Sequence, residues 1–325
     1  MNGLIEGYFV RLNDGSYWVV KGCVQPSYGV IAIPRYVDRI KVKKLSECFK
    51  LIEKVPKYSS YLKYLRCLGR RVPVIPYSDI SEVFNPCEYM EYIVKYVDKP
   101  IYRIALELIE VLNSSLKVRV GLTGSLLIGK ATRSSDIDLV IYGVNVELSR
   151  QLVQSLHRLF TSGILKHITK DEFIDEVSKV GEVLDLNSYL NIIRYKVLQG
   201  VFKGFKYTLR FVTCSKPKIC SDVVKDLDYV YLRGFVIDDS QAYLTPVTYI
   251  MKVVDTSDKH LRCDDVVKLT SLRIRFTELG VGTYLEVKGR LQKVNDELII
   301  NLDFPDSYVK ILKYEVPTLI RDLKK

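Results

Sequence analysis

Hydrophobic and polar positions change period several times along the chain. Residues 1–37 alternate with period two. Phe9-Val10-Arg11-Leu12, the turn Asn13-Asp14-Gly15 and Tyr17-Trp18-Val19-Val20 predict a hairpin, with a third strand over 29–37. Three such strands need a larger body to pack on, so this sheet is expected to be an appendage. Over 43–71 the period lengthens to that of a helix, with Leu45, Phe49, Ile52 and then Leu62, Leu65 and Leu68 separated by lysines. Pro73, Pro76 and Pro86 are expected in loops, followed by a helix over 87–115 that turns Ile101, Ile104, Leu108, Val111 and Leu112 to one side. Apolar strands are predicted at 118–122 and 137–142, helices over 146–160, 172–180 and 186–198, and an alternating strand over 206–213. From about 216 short strands return: a hairpin around Asp238-Asp239-Ser240, then 266–276, 283–294 and 297–302, before a tail over 310–325. Five short strands at this spacing predict a small β-barrel, of which the OB-like barrel is one form.

Composition narrows the class. The 325 residues are enough for two or three domains, and 48% hydrophobic with 27% charged residues fits an ordinary folded protein. No apolar run approaches the ~20 residues of a membrane span, and the N-terminus lacks the pattern of a secretory leader. A cytoplasmic location is therefore expected, and 23 Tyr beside abundant Lys suggest a thermophile. Seven cysteines include no CxxC pair, so zinc and a disulfide framework are discounted in favour of buried free thiols.

The net charge of +11 favours an anionic partner and is concentrated in two segments. Residues 39–71 hold eleven Lys/Arg against Glu47 and Glu53, and 186–221 hold seven with no acid. Within the first, 57–66 interleaves tyrosines and cations, as single-strand binders do. An amphipathic helix with packed tyrosines is the alternative reading.

The chemistry concentrates at 118–143. An apolar strand runs into Gly124-Ser125, and a second strand opens with Asp136 and Asp138, two positions apart and so on one face. Paired carboxylates repel unless a cation lies between them, and oxygen-only donors suit Mg²⁺ or Mn²⁺. Free backbone N–H groups after the Gly-Ser turn can hold phosphate. A phosphate cradle beside a metal clamp is the equipment of phosphoryl or nucleotidyl transfer.

This stretch resembles the nucleotidyltransferase superfamily typified by DNA polymerase beta, whose signature is Gly-Ser, about ten residues, then Asp-hydrophobic-Asp-hydrophobic. The longer form written by minimal members is matched at Gly129, Ala131, Ser135, Asp136, Ile137, Asp138 and Leu139, and departed from at Ile128, where those members have Arg. The resemblance covers about 100–215, and the remainder looks like archaeal proteins known only as expected nucleotidyltransferases. It implies a central mixed-sheet nucleotidyltransferase domain over 96–215, and with the flanking patterns above the expected fold is α+β, with an N-terminal β/helical extension over 1–95 and a C-terminal small β-barrel domain over 216–325. It implies that Asp136 and Asp138 are catalytic and hold Mg²⁺ or Mn²⁺, and that Gly124 and Ser125 bind an NTP with Lys130, Arg133 and Ser135 assisting.

The superfamily places a third carboxylate on a third core strand. Strand 206–213 carries Thr208 and Arg210 there, with no acid. Glu182 or Asp185 approaches from a loop, or two carboxylates suffice, or a small partner subunit supplies the group, or the domain binds nucleotide without turnover. Arg194, Lys196, Lys206 and Arg210 fit phosphate or polynucleotide contacts. The expected function is metal-dependent transfer of a nucleoside monophosphate from NTP to a nucleic-acid hydroxyl, RNA or a tRNA-like acceptor being favoured. The alternatives are a silent nucleotide- or nucleic-acid-binding protein of the same fold, and a nucleotidyltransferase acting on a small molecule or protein. No membrane partner is expected.

Overall fold

The computed structural model describes residues 3–38, 40–42, 44–169, 172–173 and 184–323. The chain divides into two compact units, one of residues 1–63, 71–167 and 197–220, the other of 64–70, 168–196 and 221–325.

Among the described residues the first unit holds two larger sheets and a two-stranded one. The N-terminal hairpin forms as predicted, Phe9–Leu12 against Tyr17–Val20, with Gly29–Val37 alongside. This sheet is larger than expected, because Arg70–Pro76 and Ile80–Phe84 join its two flanks. Pro73 and Pro76 thus lie in a strand and not a loop. Proline's fixed φ suits extended backbone, and Val72, Val74 and Ile75 are all buried by the pairing. One face packs around Trp18, fully buried among Val10, Leu12, Val30 and Ile52, with Tyr58 set edge-on at 5.1 Å. Tyr61 lies against the same ring at 6.1 Å.

That packing decides the reading of 57–66. Tyr58 and Tyr61 are core residues, and the predicted helix gives way to short helices Leu45–Lys54 and Pro56–Ser59 followed by a strand, Leu62–Leu65. These two rings therefore cannot stack on bases. The helix expected over 87–115 is also interrupted. It divides into Tyr89–Ile93 and Pro100–Leu116, because Pro100 starts a new helix and its ring disfavours helical backbone at Lys99 before it.

The second sheet runs in the order Gln199–Phe202, Phe205–Val212, Ile137–Tyr142, Gly121–Thr123. Phe205–Val212 is parallel to Ile137–Tyr142 and the other pairs are antiparallel, so the sheet is mixed. Helices Pro100–Leu116 and Val146–Thr161 pack together and bury Leu108, Leu112, Leu152 and Leu156. A disulfide joins Cys23 to Cys214, 191 positions apart, where Val24–Gln25 pairs with Lys218–Ile219. This overturns the expectation of free thiols throughout. A tertiary pairing of that span leaves no local spacing to read.

The second unit is built on a six-stranded sheet. Val224–Gln241 pairs with Val247–Thr256, which pairs with Val266–Ser271. Val266–Ser271 runs parallel to Glu297–Asn301, which pairs with Tyr284–Val294. Tyr284–Val294 returns to Val224–Gln241. The tail expected from 310 is instead a strand, Tyr308–Lys313, on the edge of Tyr284–Val294, followed by a short helix, Thr318–Leu323. Arg273 and Arg275 lie beyond the end of their strand, Arg275 in a 3₁₀ turn over Ile274–Phe276. The helix predicted over 172–180 falls largely outside the described residues. No helix among those described is long and apolar enough to cross a membrane.

Candidate functional site

Strand Ile137–Tyr142 has the bounds its pattern predicts. Asp138 is registered between Thr123 on one side and Thr208 on the other. Residues in register share a face, so Asp138 is flanked by two hydroxyl side chains.

Gly124 explains why the turn is Gly-Ser. Its φ of +69° lies in the left-handed region, and a Cβ built there would sit 2.2 Å from Asp138 Oδ2. The glycine backbone thus lies directly against the carboxylate. The helix that follows, Gly124–Leu127, is a single turn, and Ser125 within it is buried. Gly129 is a second steric requirement, since its Cβ would meet the Tyr96 ring at 2.5 Å and its φ is +67°.

The Ile128 departure has a structural cause. Ile128 and Leu127 pack into the second face of the N-terminal sheet, against Phe9, Val19 and Phe84. The N-terminal sheet is therefore the body that buries the Gly-Ser turn from behind, and not an appendage.

It also contributes polar groups to the site. Tyr36 brings a hydroxyl near Ser125 and Asp138; burial raises its pKa, with the Asp138 charge adding to this and Arg35 pulling the other way. Tyr17 lies under Lys130, whose Nζ is 5.4 Å from the ring centroid. No sequence pattern marks Tyr36 or Tyr17, because both come from strands far upstream of the motif. Contact with the motif alone identifies them.

The other expected site residues fall as follows. Lys130 and Arg133 are exposed on the loop between turn and strand. Ser135 shapes that loop: its Oγ accepts from the Thr132 N–H at 2.9 Å, and its own N–H donates to Thr132 O at 3.1 Å. Lys206, on the strand beside the acids, places Nζ 3.9 Å from Asp136 Oδ1. Arg210 lies two pairs beyond Thr208, registered with Val140. These residues share the first unit with Asp136 and Asp138.

Arg194 and Lys196 belong to the second unit. Arg194 is exposed and lies over the Tyr195 ring. Lys196 is fully buried and donates to Ile274 O, Thr277 O and Thr277 Oγ1 at 2.8–2.9 Å. An ammonium held in this way is closed to a polynucleotide, so the expected phosphate contact does not apply to it. Burial pulls its pKa down to about 8, against the upward effect of Glu278.

Of the candidates for a third acid, Glu182 lies outside the described residues. Asp185 is a helix cap, accepting from the Ser188 N–H and Oγ at 2.9 Å each. Among the described residues no group of three or more His, Cys, Asp or Glu is placed to hold a metal. The donor set the motif offers is Asp136, immediately before the strand, and Asp138 within it. That suits a divalent ion which completes its shell with substrate phosphates and water.

A family model described as "Nucleotidyltransferase domain" matches residues 105–226. An uncharacterized protein of Methanocaldococcus jannaschii is 23% identical, the match covering 89% of this chain and 91% of that protein. No solved structure matches.

Proposed function

We propose that residues 105–226, which match a nucleotidyltransferase domain model, act as one, and that the protein transfers a nucleoside monophosphate from an NTP to a nucleic-acid hydroxyl, with RNA the favoured acceptor. The observation that carries this reading is the contact between the Gly124 backbone and Asp138 Oδ2, which sets the turn and the acidic strand against each other. Asp136 and Asp138 are the groups that would hold Mg²⁺ or Mn²⁺ together with the triphosphate. A divalent ion in that position neutralises charge on the reacting phosphate and on the pyrophosphate that leaves.

The chain's own residues do the rest. The Gly124-Ser125 turn receives the distal phosphates, with the Tyr36 hydroxyl beside it. Lys130 and Arg133, exposed beyond the turn, reach phosphate oxygens from the solvent side. The acceptor oxygen bonds to the α-phosphorus as pyrophosphate departs, and its proton passes to solvent, since strand Phe205–Val212 carries no acid to take it. The five strands of the second unit that pair in a ring are read as a small OB-like barrel. Support comes from the pairing of the first strand with both the second and the fourth, and from the parallel third and fifth strands.

The test is incubation of the full chain with each labelled NTP, Mg²⁺ or Mn²⁺, and total RNA. Incorporation is expected for the native chain and none for Asp136→Asn; equal incorporation by that variant refutes the assignment. One observation favours a second reading. Lys206 lies beside Asp136 on the strand where a carboxylate was expected, as in a domain that binds nucleotide without turnover. Mg²⁺–NTP binding with no incorporation into any acceptor decides for that reading.

A further inference from the structure

Exposed large apolar side chains gather on the outer face of the second unit's sheet. Along Val224–Gln241 every second residue is exposed from Tyr231 to Ile237, with Tyr231 43%, Phe235 38% and Ile237 45% accessible. A strand in a sheet normally gives its solvent face to polar residues, and an exposed apolar patch marks an interaction site.

The strand register fixes what surrounds these rings. Tyr231 is opposite Lys288, and Lys288 is opposite Tyr308. Two rows further along, Phe235 lies between Lys252 and Tyr284. Phe235 and Tyr284 are stacked, with centroids 4.4 Å apart and planes within 22°. In the row between, Glu286 is flanked by Arg233 and Lys310, and the Arg233 guanidinium neutralises it at 2.7 Å. Asp255, registered with Arg233, stands at the margin of the face. Aromatic rings and cations are therefore interleaved across four neighbouring strands.

We infer that this face binds single-stranded nucleic acid. Bases stack on aromatic rings whatever their sequence, and cations between the rings follow the phosphates. The Phe235–Tyr284 pair gives the end of a stack that a base can extend. Lys288 and Lys310, both exposed, form no ion pair among the described residues. A purely apolar partner would leave those cations buried and unpaired, which charge complementarity with a polyanion avoids. The inference deepens the proposed function by supplying an acceptor-holding surface, yet it requires no step of the transfer reaction.

The test uses the full chain without NTP or metal and fluorescein-labelled oligonucleotides of about 12 nucleotides, within the range one small barrel covers. Fluorescence anisotropy is expected to show binding of single strands in preference to duplex. The double substitution Tyr231→Ala/Phe235→Ala is expected to weaken it about tenfold or more, and Tyr231→Trp/Phe235→Trp to preserve it. Lys288→Ala/Lys310→Ala is expected to reduce the slope of log affinity against log salt by about 1.4, at ~0.7 per phosphate contact on single strands. Unchanged affinity in both alanine doubles overturns the inference, as does equal binding of duplex. So does a chain that binds no oligonucleotide but self-associates until Tyr231 and Phe235 are replaced. Binding that depends on the face, in a chain that transfers no nucleotide, leaves the inference standing while the transfer reading fails.

Discussion

Gly124→Ala is the smallest change that tests the proposed site. It adds one methyl group at a position where φ is +69° and Asp138 Oδ2 lies 2.2 Å from the new carbon, with Asp138 Cβ and Cγ at 2.9 Å. Ordinary contact begins at 3.4 Å, so the carboxylate or the turn must move by about 1 Å, a displacement that costs on the order of 100-fold in positioned chemistry. The left-handed backbone adds about 1–2 kcal/mol of strain for any residue with a Cβ. Stability and function are therefore expected to fall by different amounts. Urea unfolding is expected to lose about 1–2 kcal/mol, a destabilisation most domains survive. Mn²⁺–NTP affinity, measured by isothermal titration on the folded variant, is expected to fall at least about tenfold, since Asp138 is a proposed ligand. An alanine variant that binds Mn²⁺–NTP within about twofold of the native chain would refute the reasoning, because the turn and Asp138 would then not form one site.

Two further substitutions test the surroundings. Ile128→Arg restores the side chain that minimal superfamily members carry, but it places a guanidinium against Phe9, Val19 and Phe84; urea unfolding is expected to lose about 3 kcal/mol or more, and a loss below 1 kcal/mol would mean that the N-terminal sheet does not seal this side. Lys196 has a folded pKa of about 8, below its ordinary 10.5, so between those values the unfolded chain binds more protons and stability rises with pH. Relative to Lys196→Met, the native chain is expected to gain about 1–3 kcal/mol in urea unfolding from pH 8 to 10, and parallel pH profiles for the two would contradict this.

Legibility in the sequence followed the distance over which each feature is held. The acidic strand was readable because its apolar alternation and its acids lie within a few residues. The need for glycine at 124 was implied by the motif, but its cause, contact with Asp138 across the sheet, is tertiary. Tyr58 and Tyr61 were ambiguous because interleaved rings and cations describe equally a base-stacking surface and a core edge. What decides is Trp18, some forty residues earlier. Tyr36 had no signal at all. Its hydroxyl matters only because Gly29–Val37 lies against the Gly-Ser turn. The Cys23–Cys214 bond was hidden for the same reason. In the second unit the hairpin was visible as a pattern, whereas the ring depends on pairings between strands distant in sequence, such as Val224–Gln241 with Tyr284–Val294.

The lack of an acid on strand Phe205–Val212 is best understood as a change in charge at the site. Thr208 stands in register with Asp138, and Lys206, two residues earlier on the same strand face, lies 3.9 Å from Asp136. At an effective dielectric near 20, a pair at that distance attracts by about 4 kcal/mol. Both side chains are partly exposed, at 22% and 29%, so screening reduces the net value to about 1 kcal/mol or less. Lys206 therefore competes only weakly with a divalent ion and does not close the site. It does lower the negative charge that would hold a metal in the absence of substrate. A centre with two acids and one neighbouring cation favours a metal that arrives already bound to a triphosphate, because the phosphates supply the oxygens that the third strand does not. Under the proposed function, metal affinity is thus expected to be conditional on nucleotide, in contrast to a site whose three carboxylates bind the ion unaided.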